Sequence, residues 1–230
     1  MPELPEVQTI VDDLNKKVKV LTITDVWTDW PKYFKRSPRG FENFKKTVIG
    51  KKIIKIWRIG KNIIFDLSGD KKILVHQKMT GHLLVGKWNL EHGVWISVQK
   101  GLLTEKVNGY IHVMFWLSRG KMLGLSDLRK FAKIIVVDAK DFNNLEDVKH
   151  IGPDPLKPDF KFNDFKNLII KKRGPIKKIL MNQNVVSGIG NIYADEILFI
   201  SKIHSLKKTE KLNEKELKTI FEATKKILKK

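Results

Sequence analysis

Residues 183–199 read Gln-Asn-Val-Val-Ser-Gly-Ile-Gly-Asn-Ile-Tyr-Ala-Asp-Glu-Ile-Leu-Phe, a Gly-x-Gly turn set between apolar residues. Gly188 and Gly190 permit positive φ and close backbone approach. Asn191 stands where a helix N-cap belongs, ahead of a run of helical period over 192–200. That helix would point its first N–H groups at an anion. On its own residues the stretch reads more readily as a tight turn between packed helices.

Working outward, the same period of three and four recurs at 162–170, 176–182 and 214–228, so 159–230 is expected to be an all-α domain. Leu217, Ile220, Phe221, Thr224 and Leu228 mark the buried stripe of the last helix. Upstream, 139–158 is rich in Asp, Asn, Gly and Pro and includes Ile151-Gly152-Pro153-Asp154-Pro155, the composition of a linker. Before it the texture is short β-branched and aromatic runs at 52–58, 63–67, 73–76, 94–98, 111–117 and 133–137, a spacing that predicts a sandwich or barrel. Leu4, Val7, Ile10, Val11 and Leu14 form the apolar stripe of one amphipathic helix ahead of those strands. The expected fold class is α+β: an N-terminal helix and β-sandwich domain over 1–138, then a helical domain.

The 230 residues carry 45 Lys plus Arg against 25 Asp plus Glu, a net charge of +20. Such a balance attracts polyanions, although only six of the basic residues are arginine and many lysines simply solvate a surface. With no cysteine, disulfide scaffolds, thiolate zinc sites, iron–sulfur clusters and cysteine nucleophiles are excluded. No apolar run approaches the ~20 residues that span a bilayer. The start lacks the cationic and apolar segments of a secretory signal, so a cytoplasmic protein is expected.

The chain opens Met1-Pro2-Glu3-Leu4-Pro5-Glu6-Val7. Removal of Met1, usual before a small residue, would leave Pro2 as a secondary amine. An α-amino group has a pKa of ~7.7–8.0, so part of it is unprotonated near neutrality and nucleophilic. Attack on an aldehyde-like carbon would give an iminium, and Glu3 and Glu6 lie close enough in sequence to move protons. By composition alone, the same residues start a helix and complement its dipole.

Taken together, the Met1–Val7 segment and the 183–199 turn resemble the formamidopyrimidine-DNA glycosylase family, which repairs oxidised purines, and its helix–two-turns–helix motif. Further stretches resemble the family in chain order. Gly60-Lys61-Asn62-Ile63-Ile64-Phe65 resembles the strand bearing a second catalytic base or acid, which implies that role for Lys61. His76-Gln77-Lys78-Met79-Thr80-Gly81 resembles the loop whose methionine fills the gap left by an extruded nucleotide, here Met79. Ser126-Asp127-Leu128-Arg129-Lys130-Phe131 resembles the loop that sets an arginine at the orphaned base and an aromatic wedge in the stack, implying Arg129 and Phe131. Lys171-Lys172-Arg173-Gly174-Pro175-Ile176-Lys177 resembles the segment entering the DNA-binding motif, implying phosphate contacts by Lys172 and Lys177, with Asn191 holding the backbone.

The resemblance implies a base-excision repair glycosylase and abasic-site lyase. Pro2 would form the Schiff base, and Glu3, Glu6 and Lys61 would support β- and δ-elimination. It also implies a partner, double-stranded DNA containing oxidised bases or abasic sites, bound by a monomer. Family members usually continue into a base-covering loop and a four-cysteine zinc finger. This sequence has no cysteine, so it is expected to be either a fragment or a natural finger-less form, with no metal or cofactor. The alternative is a non-catalytic protein that binds damaged DNA or abasic sites.

Overall fold

A computed structural model describes residues 1–229. Helix α1 (Leu4–Val18) buries Val7, Val11, Leu14 and Val18, and carries Glu6 in its first turn and Lys16 and Lys17 in its last, as the helix dipole favours. Strand β1 (Ile23–Thr28) and helix α2 (Gly40–Val48) follow, joined through a 3₁₀ turn at Pro31–Phe34. Eight further strands come next: β2 (Ile53–Ile59), β3 (Asn62–Leu67), β4 (Lys71–His76), β5 (Gly81–Gly86), β6 (Trp88–Glu91), β7 (Val94–Ser97), β8 (Ile111–Leu117) and β9 (Lys121–Asp127). Strand β10 (Lys133–Asp138) closes the set. Four helices then complete the chain: α3 (Phe162–Ile170), α4 (Ile176–Leu180), α5 (Asn191–Ser201) and α6 (Glu214–Leu228).

By packing, the chain divides into two units: Met1–Pro2, Val7–Arg58 and Asn62–Asn143 form one, and Glu3–Glu6, Ile59–Lys61 and the chain from Asn144 onward form the other. The first unit holds two four-stranded sheets, ordered β1-β8-β9-β5 and β10-β4-β3-β2, plus the β6-β7 ribbon. Side chains of a strand alternate between faces, so every second residue enters the core. Ile63, Phe65 and Leu67, Ile73 and Val75, and Ile134 and Val136 come from one sheet; Val113, Phe115 and Leu117, and Leu123 and Leu125 come from the other. Register is set by the antiparallel pairs Ile63↔Val75, Phe65↔Ile73 and Phe115↔Leu123.

The second unit packs α3 to α6 around Phe165, Ile169, Ile176, Leu180, Val185, Ile197, Leu217 and Ile220, with Leu4 in the same core. Helix α6 starts on a capping box: Asn213 Oδ1 accepts from the Glu216 N–H at 2.9 Å, and the Glu216 carboxylate accepts from the Asn213 N–H at 3.1 Å.

The structure has more elements than the sequence patterns gave. Helix α2 lies inside the region expected to be strands, because its start, Arg39 in a left-handed conformation, offers no capping side chain. Strands β5 and β9 carry glycines at Gly81, Gly86 and Gly124, which blur their alternation. A 3₁₀ turn, Ala139–Asn144, falls in the expected linker. Among the described residues, no helix is long and apolar enough to cross a membrane.

Candidate active site

The expected Asn191 cap is corrected. Asn191 is the first helical residue of α5, and the cap position is Gly190, which has no side chain to cap with. The anion at this helix start is Glu3. Its carboxylate, 3 % exposed, accepts from the backbone N–H of Gly190 at 2.6 Å, Ile192 at 2.9 Å and Tyr193 at 3.2 Å. A negative group here satisfies helix-end donors that have no partner within the helix and meets the positive end of the dipole. These amides are therefore engaged inside the protein rather than left open to an external phosphate.

The two glycines make that approach possible. A Cβ on Gly190 would fall 2.4 Å from Glu3 Cδ, and one on Gly188, whose φ is +88°, would fall 2.6 Å from Leu4 Cβ. The Gly188 carbonyl accepts from the Leu4 N–H at 3.0 Å. Gln183 braces the turn, its Oε1 accepting from the Gly188 N–H at 2.8 Å and its Nε2 donating to the Ile189 carbonyl at 2.7 Å.

Glu6 folds back on the same cluster. One oxygen accepts from the Glu3 N–H at 2.9 Å, and the other accepts from the Tyr193 hydroxyl at 2.6 Å. Burial and that hydrogen bond push the Tyr193 phenol above its ordinary value. Lys61 follows Gly60 in the turn between β2 and β3 and is 7 % exposed, unlike a surface lysine. Burial lowers its pKa below the ordinary lysine value, partly offset by Glu3 and Glu6. A buried amine moved toward neutrality beside two carboxylates is equipped for proton transfer. Pro2 precedes Glu3 in the chain and is half-buried.

Met79, Arg129 and Phe131 belong to the sandwich unit. Met79 is 49 % exposed in the turn between β4 and β5, so it is not a core methionine. Phe131 is 53 % exposed, and the Arg129 guanidinium lies 4.7 Å from its ring centre. Both loops rest on a residue the sequence did not single out, Asp127, which is fully buried. Its Oδ1 accepts from the Thr80 hydroxyl at 2.5 Å, and its Oδ2 accepts from the Ala132 N–H at 2.8 Å and the Tyr33 hydroxyl at 3.3 Å. Thr80 Oγ1 in turn accepts from the Arg129 N–H at 3.1 Å. In sequence, Asp127 looks like an ordinary turn aspartate.

In the helical unit, Lys172 and Asn191 are exposed, and Lys177 Nζ donates to Asp195 at 2.8 Å. A phosphate at Lys177 would compete with that carboxylate.

Residues 1–134 match the family model described as the formamidopyrimidine-DNA glycosylase N-terminal domain, and 151–230 match its H2TH domain. The chain belongs to the formamidopyrimidine-DNA glycosylase family. It is 33 % identical over 230 residues to the formamidopyrimidine-DNA glycosylase of Herpetosiphon aurantiacus, covering 99 % of this chain and 77 % of that one. The Ureaplasma parvum enzyme is 34 % identical over 229 residues, with the same coverage. Among solved structures, the Lactococcus lactis Fpg in complex with abasic-site DNA superposes with a TM-score of 0.84 at 29 % identity, covering 99 % of this chain and 77 % of that chain. The same glycosylase bound to FAPY-dG DNA gives the same score and identity, with 78 % of that chain covered.

The four-cysteine zinc site that the family resemblance implies does not fit these residues. The sequence supplies no thiolate. Among the described residues, no group of three or more His, Asp or Glu is placed to hold a metal ion.

Proposed function

We propose that this chain is a base-excision repair DNA glycosylase with abasic-site lyase activity. Its substrate is double-stranded DNA carrying oxidised purines or abasic sites, the lesions in the DNA bound by its structural relatives. The observation that carries the reading is the Glu3, Glu6 and Lys61 cluster, one residue along the chain from Pro2.

A base inside a duplex shields its glycosidic carbon, so the nucleotide must be turned out at a cost of a few kcal/mol. Met79, Arg129 and Phe131 offset that cost by filling the vacancy, while Lys172, Lys177 and Asn191 hold phosphates. With Met1 removed, the Pro2 amine attacks C1′ and the C1′–base bond breaks, the base leaving with a proton. Glu3 assists sugar-ring opening, which yields the iminium. That electron sink acidifies the C2′ hydrogens. Loss of a C2′ proton expels the 3′ phosphate by β-elimination, and a δ-elimination then expels the 5′ phosphate. Lys61 and Glu6 supply and accept protons in these steps. The chemistry uses this chain's own amine and carboxylates with no metal or organic cofactor, and the protein acts as a monomer in the cytoplasm.

Borohydride reduction of the protein mixed with abasic-site duplex tests the reading, with mass spectrometry reporting Met1 removal. A covalent adduct on Pro2 is expected, and Pro2→Gly shifts or abolishes it. Tight binding to the lesion duplex without any adduct from Met1-free protein would replace the lyase with a non-catalytic damaged-DNA binder.

A further inference from the structure

A cleft of about 660 Å³ in the sandwich unit is lined by cations from three separate segments. Lys32, Lys35 and Arg36 come from the Pro31–Phe34 turn and the residues after it, Lys78 from the turn after β4, Lys130 from the approach to β10 and Lys133 from its first position. No carboxylate is among the lining residues. Lys32 and Lys130 both place their ammonium groups against the Trp30 ring, 4.8 and 4.6 Å from its centre.

The fold holds these charges together through Asp127, whose bond to the Ala132 N–H fixes the backbone between Lys130 and Lys133. Their mutual repulsion is visible at Lys133, where burial, then Lys78 and Arg36, lower the ammonium to about 8. A bound anion relieves that repulsion. Six cations around one open cleft exceed the demand of a single phosphate and suit successive phosphates along a strand, each carrying one negative charge.

We infer that this cleft grips backbone phosphates of the DNA strand opposite the lesion. The strand assignment rests on the functional reading above. Phe131 lines the cleft, and Lys130 adjoins Arg129, the residue assigned to the orphaned base.

The test uses the full chain and a duplex containing a tetrahydrofuran abasic analogue, with affinity measured against salt. Lys32 and Lys35 are exposed, so their replacement leaves the core intact. The double variant Lys32→Gln, Lys35→Gln is expected to reduce the slope of log affinity against log salt by ~1–2, since each neutralised phosphate contributes ~0.9. Lys215→Gln with Lys218→Gln removes the same charge from the exposed face of α6 and is expected to leave the slope unchanged. Neutral methylphosphonates placed opposite the lesion should weaken wild type more than the Lys32, Lys35 variant. An unchanged slope in that variant, an equal loss in the α6 control, or interference confined to the lesion strand each overturns the proposal. Borohydride trapping by wild type is a separate arm: its failure would remove the catalytic reading and leave the slopes to decide the cleft.

Discussion

Asparagine at position 127 would keep the shape of the aspartate while turning one acceptor into a donor. Thr80, Ala132 and Tyr33 all donate to that carboxylate, so the new N–H group meets another donor. Leaving a buried donor unsatisfied costs about 1–3 kcal/mol. Asp127→Asn should therefore lower the melting temperature by several degrees. It should also slow borohydride trapping at an abasic site more on a duplex that keeps the opposing nucleotide than on one lacking it, if Met79 and Arg129 fill the vacancy as proposed. Equal slowing on both duplexes would mark Asp127 as a packing residue only. A second residue-scale effect concerns pH. Folding moves Lys133 from an ordinary 10.5 to about 8, so the unfolded chain holds that proton more tightly. The resulting penalty is full below about pH 8 and fades as pH rises toward 10.5. Stability contributed by this site should rise across that window, and urea titrations of wild type and Lys133→Met should differ in slope there.

At the scale of elements, the start of α5 is built around a side chain that comes from outside the helix. Gly190→Ala has no conformational obstacle, since φ is −124°, but the added methyl would occupy the place of the Glu3 carboxyl. The expected outcome is a loss on the order of 1–3 kcal/mol together with loss of trapped adduct. Unchanged melting and trapping would show that Glu3 has other adequate positions. The helices themselves were legible: the stripes at 162–170 and 214–228 end where α3 and α6 end. The turn at Gly188 and Gly190 was legible too, because few residues other than glycine adopt positive φ or leave that much room. Helix α2 was hidden by its shortness, nine residues with Phe41, Phe44 and Val48 as the only apolar stripe and no capping residue. The partners of Glu3 could not be read locally at all, since its donors lie 187 to 190 positions away. Asp127 escaped for the same reason, its tie to Tyr33 spanning 94 positions.

For the whole molecule, the proposed reading gives the +20 charge particular addresses: Lys172 and Lys177, and the six cations of the cleft. If these contact phosphates, binding to lesion-free duplex should weaken on the order of 10³-fold between about 50 and 200 mM salt. Anisotropy titrations check this, and a change below about tenfold would mean that most of the lysines only solvate the surface. The carboxylate seated on α5 also imposes an order in time. A ribosome makes Glu3 187 to 190 residues before the amides that seat it, so a growing chain carries its first residues through that stretch of synthesis with the acid's seat not yet made. The Glu3 and Glu6 carboxylates thus reach their partners only once the chain has been translated past Tyr193 and the start of α5 has folded.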